Sequence, residues 1–320
     1  MIGKDALLEM FYLMVKIRRV EERLLELFAQ GKIPGFIHVG IGQEAVPVGV
    51  CSCLKPGDFI SSTHRGHGHA LAKGVDLKRF MAEIFGRRDG YCRGRGGSMH
   101  VASNELGLIG SNGIVGGGIP ISLGTAFASV YKGNDRVTVS FFGDGASNEG
   151  TFHESLNLAS LWDLPIVFCC ENNEWAEFTP KRVHMRIEKI SERAVSYGIP
   201  GVTVDGDDVL SVQGEAERAI ARARKGEGPT LLECKTHRWF GHFAGDAQKY
   251  RSPKEIEEAK GFDPILRFQE TLFKLKYLKP EDVERLELKV RSEIDEAVAF
   301  ALNSPIPADE SLLEDVYSTD

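Results

Sequence analysis

Two polar turns stand at the ends of two apolar runs. The run at 137–142 leads into Gly-Asp-Gly at 143–145, and the run at 166–170 leads into Glu-Asn-Asn at 171–173. A carboxylate and an amide oxygen suit a hard cation such as Mg2+, which shares its octahedron with water and phosphate oxygens. Glycines beside the acid let backbone N–H groups approach a pyrophosphate. These residue types therefore predict a metal-assisted phosphate site.

The segment between the two runs predicts a helix. Phe152, Leu156 and Ala159 recur at helical spacing after Asn148-Glu149. A strand–helix–strand unit is parallel and right-handed, so Asp144 and Asn173 would emerge side by side at the carboxyl ends of neighbouring strands. The alternative is that both turns merely end strands, as in any α/β protein.

The other helices, strands and loops are predicted from hydrophobic periodicity and from turn-forming residues. We expect Asp5 to cap an amphipathic helix that ends at 30–31, a short helix at 77–85, and loops at 31–68 and 86–118. Strands are expected at 202–206 and 230–234, helices at 207–224 and 281–302, and a loop at 237–251. The fold class is α/β, with a mainly parallel sheet and helices on both faces. Residues 1–320 read as one domain with N-terminal and C-terminal helical extensions.

Composition narrows the class of protein. The 320 residues carry 39 Lys and Arg against 46 Asp and Glu, and a net charge of −7 argues against a nucleic-acid protein. Six cysteines show no paired zinc spacing, which favours reduced thiols. We find neither a signal-peptide core nor a membrane-length apolar run. We expect a soluble, cytoplasmic protein that acts on small molecules.

Two other kinds of site have weaker support. The glycines at 110–118 could serve a nicotinamide cofactor, but their spacing is G-x-x-G-x-x-G and no long apolar strand precedes them. His64, His67 and His69 could form a zinc cluster, although their loop setting favours a phosphate site.

Several further motifs occur in a fixed order. They are Gly-Phe-Ile-His at 35–38, Gly-Gln-Glu-Ala at 42–45, Arg-Gly-His-Gly at 65–68, Arg-Gly-Gly-Ser-Met-His at 95–100 and Asn-Gly-Ile-Val-Gly at 112–116, followed by Gly-Asp-Gly, 26 residues and Asn-Asn. Together they resemble the alpha subunit of the thiamine diphosphate-dependent dehydrogenase component of 2-oxo acid and acetoin dehydrogenase complexes. The resemblance covers nearly the whole chain and implies the thiamine diphosphate-binding fold.

The resemblance implies a role for each matching residue. Asp144 and Asn173 would ligate Mg2+ through their side chains and Trp175 through its backbone carbonyl. The cofactor itself would contact two groups of residues: Gly145, Ala146, Arg65 and His64 at the pyrophosphate, and the backbone of Gly113 and Val115 at the aminopyrimidine. His64 stands where relatives commonly have tyrosine.

His38 and His242 match histidines that face the reacting atoms, where an imidazole donates a hydrogen bond or moves a proton. Glu44 is expected to be structural, because this family takes its cofactor-activating glutamate from a beta subunit. The expected assembly has two alpha and two beta chains and serves a lipoyl-bearing acyltransferase. The apolar terminal helices are candidate interface elements.

The segment at 233–246 is similar to the acetoin branch of the family, so we expect cleavage of acetoin with transfer of the acetyl unit to lipoyl. Pyruvate or a branched-chain 2-oxo acid is the alternative substrate. A non-catalytic assembly subunit that has kept the fold is a third possibility.

Overall fold

The computed structural model describes residues 2–314 and 316. The helices are α1 (Lys4–Ala29), α2 (Ala45–Cys51), α3 (His67–Ala72), α4 (Leu77–Ile84), α5 (Gly118–Tyr131), α6 (Gly150–Leu161), α7 (Lys181–His184), α8 (Val209–Arg224), α9 (Pro253–Lys260), α10 (Pro264–Lys274) and α11 (Pro280–Asn303). The strands are β1 (Phe59–Ser61), β2 (Leu108–Gly110), β3 (Thr138–Gly143), β4 (Ile166–Asn172), β5 (Trp175–Ala176), β6 (Thr179–Pro180), β7 (Gly201–Asp205) and β8 (Thr230–Lys235).

Six strands form a parallel sheet in the order β2-β1-β3-β4-β8-β7. Successive residues of a strand point to opposite faces. Accordingly Phe141 and Cys169 pack into a core with α1, α2 and α8, whereas Phe142 and Cys170 pack into a second core with α5 and α6. The predicted α/β class, with a parallel sheet and helices on both faces, is confirmed.

The register of β3 and β4 determines where the polar turns meet. Gly143 lies opposite Glu171, so the chain leaves both strands at the same edge of the sheet. All seven residues of β4 are buried, which explains why its sequence is a continuous apolar run rather than an alternating one.

Some sequence predictions of local structure are wrong. The stretch at 31–68 is not all loop, because it contains α2, β1 and the start of α3. Six of the seven residues of α2 are buried, so the helix has no polar face to reveal its period. Asp5 does not cap α1, since the helix begins one residue earlier after Gly3; Asp5 lies in the first turn, where a carboxylate suits the helix dipole.

The apolar stripes of the terminal helices pack inside the chain. Those of α1 and α11 belong to the same buried core, with Phe11, Val20 and Val290 fully enclosed. These stripes are therefore occupied within the chain, and a role of the terminal helices at subunit interfaces stays a prediction. Exposed apolar side chains occur on α5 and after α6, where Phe127, Tyr131 and Trp162 are 47%, 83% and 47% exposed, and on α11, where Leu288 is 68% exposed.

Among the described residues, no helix has both the length and the apolar content needed to cross a membrane.

Candidate active site

A cavity of about 370 Å³ opens at the carboxyl ends of β3 and β4. Every residue that the sequence assigned to a site lines it: His38, His64, Arg65, Gly113, Val115, Asp144, Gly145, Ala146, Asn173, Trp175 and His242. These residues come from six separate segments of the chain. The parallel sheet and the loops that follow its strands bring them together.

Asp144 and Asn173 offer oxygens to the cavity. Asp144 is 1% exposed, and its Oδ2 has no hydrogen-bond partner among the described residues. The side-chain amide of Asn173 is held on both sides, because its Nδ2 donates to Gln43 Oε1 at 2.8 Å and its Oδ1 accepts the N–H of Trp175 at 3.2 Å. A buried carboxylate beside an oriented amide oxygen fits a divalent cation of the Mg2+ type.

Gly145 and Ala146 lie in a 3₁₀ turn that covers Gly145–Asn148. They precede the long helix α6, which begins only at Gly150. A Cβ at Gly145 would lie 2.7 Å from the Cβ of Ala176, so the approach of the β5–β6 hairpin requires glycine there. The turn leaves this backbone free of side-chain bulk beside Asp144.

Two buried guanidinium groups give the cavity positive charge. Arg65 donates to the carbonyl oxygens of Val39 at 2.6 Å and His242 at 3.1 Å, and burial, with a further effect of Arg238, lowers its pKa to about 9. Arg238 is 2% exposed and donates to the carbonyl oxygen of Phe240. No carboxylate among the described residues forms an ion pair with either group. The cavity therefore suits an anion such as a pyrophosphate.

His38, His64 and His242 form a cluster of imidazoles beside these cations. Their ring centroids lie 4.8 Å (His38–His64), 5.0 Å (His38–His242) and 5.1 Å (His64–His242) apart. Burial and the charge of Arg65 lower the pKa of His38 to about 3 and that of His242 to about 4, and the same causes lower the pKa of His64. At neutral pH all three rings are uncharged, so each can donate one hydrogen bond and accept another.

His67 and His69 do not line the cavity with His64. His67 contacts Ser98 Oγ at 2.8 Å, and His69 contacts Ser62 Oγ at 2.7 Å and Glu171 Oε1 at 3.3 Å. Among residues 2–314 and 316, no three His, Cys, Asp or Glu side chains are grouped to hold a metal ion. The zinc alternative therefore has no cluster to support it.

Glu44 lies outside this cavity. Its carboxylate is fully buried and pairs with Arg18, with Oε1 2.5 Å from Nε. It also accepts the N–H of Gly42. These contacts agree with the structural role that the sequence predicted.

Sequence reasoning missed Gln43 and Arg238 as parts of the site. Gln43 lies 130 residues from Asn173, whose amide it orients, and no local pattern links the two. Arg238 lies within the segment at 233–246, but its loop has no periodicity that would place it in the cavity. The runs of motif residues around each were the only available signal.

The chain belongs to the family of dehydrogenase E1 components, whose sequence profile matches residues 12–310. This family uses thiamine diphosphate, so the comparison decides against the nicotinamide alternative. The alpha subunit of the acetoin:2,6-dichlorophenolindophenol oxidoreductase of Bacillus subtilis is 50% identical over 317 residues, spanning 99% of this chain and 95% of the relative. The protein of the same name from Cupriavidus necator is 45% identical over 317 residues, with the same two coverages.

Pyruvate dehydrogenase E1 alpha subunits are also similar. That of Zymomonas mobilis is 42% identical over 315 residues, spanning 98% of this chain and 89% of the relative. The chain is thus an E1 dehydrogenase alpha subunit, related to both the acetoin and the pyruvate branches.

Proposed function

We propose that this alpha subunit acts in an enzyme that cleaves acetoin and transfers the acetyl unit to a lipoyl carrier. The observation that carries the proposal is the single cavity in which Asp144, Asn173 and Arg65 stand near three uncharged imidazoles. The higher identity to relatives named for acetoin favours that substrate.

In this proposal Mg2+ is held by the side chains of Asp144 and Asn173 and by the backbone carbonyl of Trp175. The buried carboxylate of Asp144 and the fixed amide of Asn173 support this assignment. The groups proposed for the organic cofactor are the backbone N–H groups of Gly145 and Ala146 with the side chains of Arg65 and His64 for the pyrophosphate, and the backbone of Gly113 and Val115 for the aminopyrimidine.

Bound thiamine diphosphate supplies a nucleophilic carbon and an electron sink for breaking a carbon–carbon bond. His38 and His242 donate hydrogen bonds to the oxygen of the reacting carbonyl and move a proton at that oxygen. Their uncharged state at neutral pH leaves each ring a lone pair for this purpose. Breaking the carbon–carbon bond between the carbonyl and carbinol carbons of acetoin would release one half of the molecule as acetaldehyde. The other half would pass as an acetyl group to one sulfur of the lipoyl disulfide, and the second sulfur would take a proton as the disulfide is reduced.

The proposed partners are a beta subunit, in an assembly of two alpha and two beta chains, and a lipoyl-bearing acyltransferase. Ile114 and Val115 support a partner at the cavity, because these apolar side chains line it yet are 73% and 52% exposed. All six cysteines are free thiols, which supports a reducing compartment and a cytoplasmic location.

Pyruvate is the second candidate substrate. The buried cations of Arg65 and Arg238 would attract the carboxylate of a 2-oxo acid, whereas acetoin carries no charge. The pyruvate dehydrogenase alpha subunits of Zymomonas mobilis and Arabidopsis thaliana are 42% and 41% identical to this chain, less than the relatives named for acetoin. The pyrophosphate of the cofactor gives these cations another anion to bind, so acetoin is the better-supported substrate.

The test uses the full chain assembled with its beta subunit, thiamine diphosphate and Mg2+. We expect kcat/KM for acetoin to exceed that for pyruvate by about tenfold or more, measured with an artificial electron acceptor and with a lipoyl carrier. A higher kcat/KM for pyruvate would show that pyruvate, and not acetoin, is the substrate. If calorimetry detects no binding of thiamine diphosphate, the chain is better explained as a non-catalytic assembly subunit.

A further inference from the structure

His184, a residue outside the cavity, faces the carboxylate proposed to bind the metal. It is the last residue of α7, and its Nε2 lies 3.6 Å from Asp144 Oδ2. Both atoms are buried, and neither has a hydrogen-bond partner among the described residues. His184 does not line the cavity that Asp144 does, so it reaches the carboxylate from another side.

A short chain of hydrogen bonds fixes which nitrogen of His184 carries the proton. The guanidinium of Arg193, which only donates, gives a hydrogen bond to Asn148 Oδ1 at 2.7 Å. The other end of that amide is therefore an NH₂ group. Asn148 Nδ2 lies 2.9 Å from His184 Nδ1, so Nδ1 accepts and the ring proton sits on Nε2. The donor nitrogen of His184 thus points at Asp144.

The three residues of this hydrogen-bond network come from three segments around the end of β3. Asn148 lies in the turn that follows Asp144, His184 ends α7, and Arg193 lies in the 3₁₀ helix Ile190–Tyr197. Arg193 also donates to the carbonyl oxygen of Ser147 and so holds the turn itself. The arrangement is tied to the backbone that carries Asp144.

We propose that His184 is a positioning residue for the metal site. Its Nε2–H donates to Asp144 Oδ2, which fixes the plane of the carboxylate and presents Oδ1 to the cation. The 3.6 Å separation is longer than a hydrogen bond, so the proposal requires Nε2 and Oδ2 to approach each other when the metal site is filled. The inference rests on the proposed metal role of Asp144 and adds the residue that orients it.

A side chain that hydrogen-bonds to a metal ligand raises metal affinity, because it restricts rotation of that ligand. Their substitution typically costs about 10- to 100-fold in metal affinity. Without a donor at position 184, Asp144 Oδ2 would be a buried oxygen with no partner in the described chain. The carboxylate would then have no fixed plane, and a divalent ion would bind less tightly.

The experiment measures Mn2+ affinity by electron paramagnetic resonance, with the full chain assembled with its beta subunit and thiamine diphosphate present. We expect His184→Leu to weaken Mn2+ binding about tenfold or more. His184→Gln should stay within about threefold of the natural protein, because its amide can accept from Asn148 and donate to Asp144. Asp144→Ala gives the reference for loss of the site, and the exposed His153→Leu is the matched control.

Three results would overturn the positioning role. The first is unchanged Mn2+ affinity in a folded His184→Leu protein, and the second is a His184→Gln protein that binds Mn2+ as weakly as His184→Leu. The third is nitrogen hyperfine coupling of a directly coordinated imidazole in the Mn2+ spectrum, lost on His184→Leu. Failure of the natural protein itself to bind Mn2+ with thiamine diphosphate would count against the proposed function instead, so the two failures are distinguishable.

Discussion

Asp246 shapes the turn that carries His242 into the cavity. Its Oδ2 accepts the backbone N–H of His242 at 2.7 Å and the hydroxyl of Tyr250 at 2.6 Å, and its Oδ1 accepts the N–H of Gln248 at 2.9 Å. A Cβ at Gly241 would lie 2.6 Å from the Cβ of Asp246, so the turn closes only with glycine there. The imidazole is thus held by its backbone and leaves its Nδ1 without a partner among the described residues.

This geometry gives a prediction for His242→Ala in the alpha–beta assembly. We expect kcat for acetyl transfer to fall about 100-fold or more, because a proton-transferring group is lost. Thiamine diphosphate affinity, measured by calorimetry, should change less than about threefold, since the proposed contacts of the cofactor are elsewhere. His153→Ala, an exposed histidine on α6, should leave both quantities unchanged. Equal losses in affinity and turnover would assign His242 to cofactor binding instead.

Glu83 at the end of α4 organises the glycine-rich loop. Its carboxylate is fully buried and accepts four backbone N–H groups: Gly96 at 2.8 Å and Gly97 at 3.1 Å on Oε1, and Cys92 at 2.7 Å and Gly94 at 2.9 Å on Oε2. The loop continues to Met99, which lines the cavity, and to His100 beside Gly113. One helix terminus therefore sets the wall of the site through backbone contacts.

We expect Glu83→Gln to lower the free energy of unfolding by about 3 kcal/mol, because an acceptor oxygen becomes a donor facing buried N–H groups. Urea denaturation of the full chain measures this change. Glu284→Gln, an exposed change of the same chemistry on α11, should stay within about 0.5 kcal/mol. Equal denaturation midpoints for the two variants would mean that the loop is held by other contacts.

The elements predicted from the sequence are those whose hydrophobic periodicity or complete burial is visible in the order of their residues. The strands β3, β4 and β8 are buried along nearly all their length and are rich in apolar residues. The strand-end rule then placed Asp144 and Asn173 together. The helices α9 and α10 were missed, although Ser252-Pro253 and Asp263-Pro264 are helix-start signals and both capping side chains accept N–H groups. Gln43 was not predictable as a partner of Asn173, because tertiary packing alone joins them.

At the scale of the whole molecule, the three-imidazole cluster makes stability depend on pH. The pKa values of His38 and His242 fall from 6.5 to about 3 and about 4 in the fold, by burial and then by the charge of Arg65; Arg238 acts in the same direction. As pH drops below 6.5, these histidines take up protons in the unfolded chain but stay unprotonated in the folded chain. The folded state is therefore favoured fully above that pH and loses stability as pH falls toward about 4.

We expect His64→Gln to reduce this loss, because one buried ring that resists protonation is removed. Urea denaturation at several pH values between 7 and about 4 should show a shallower decline for this variant than for the natural protein. The exposed His100→Gln should follow the natural protein. Parallel declines for all three proteins would mean that carboxylates, and not these imidazoles, govern the acid response.

The rings of Phe127, Tyr131 and Trp162 also bear on how the chain behaves when it is purified by itself. The ring centroid of Phe127 lies 6.4 Å from that of Tyr131 and 5.6 Å from that of Trp162. The three rings therefore form one exposed apolar patch. The net charge of −7 keeps separate molecules apart, but salt screens that repulsion while sulfate and phosphate strengthen apolar association. We therefore expect the lone chain to precipitate as such salts are added. Co-expression with the proposed beta subunit should improve the soluble yield, because a subunit that covers these rings removes them from solvent.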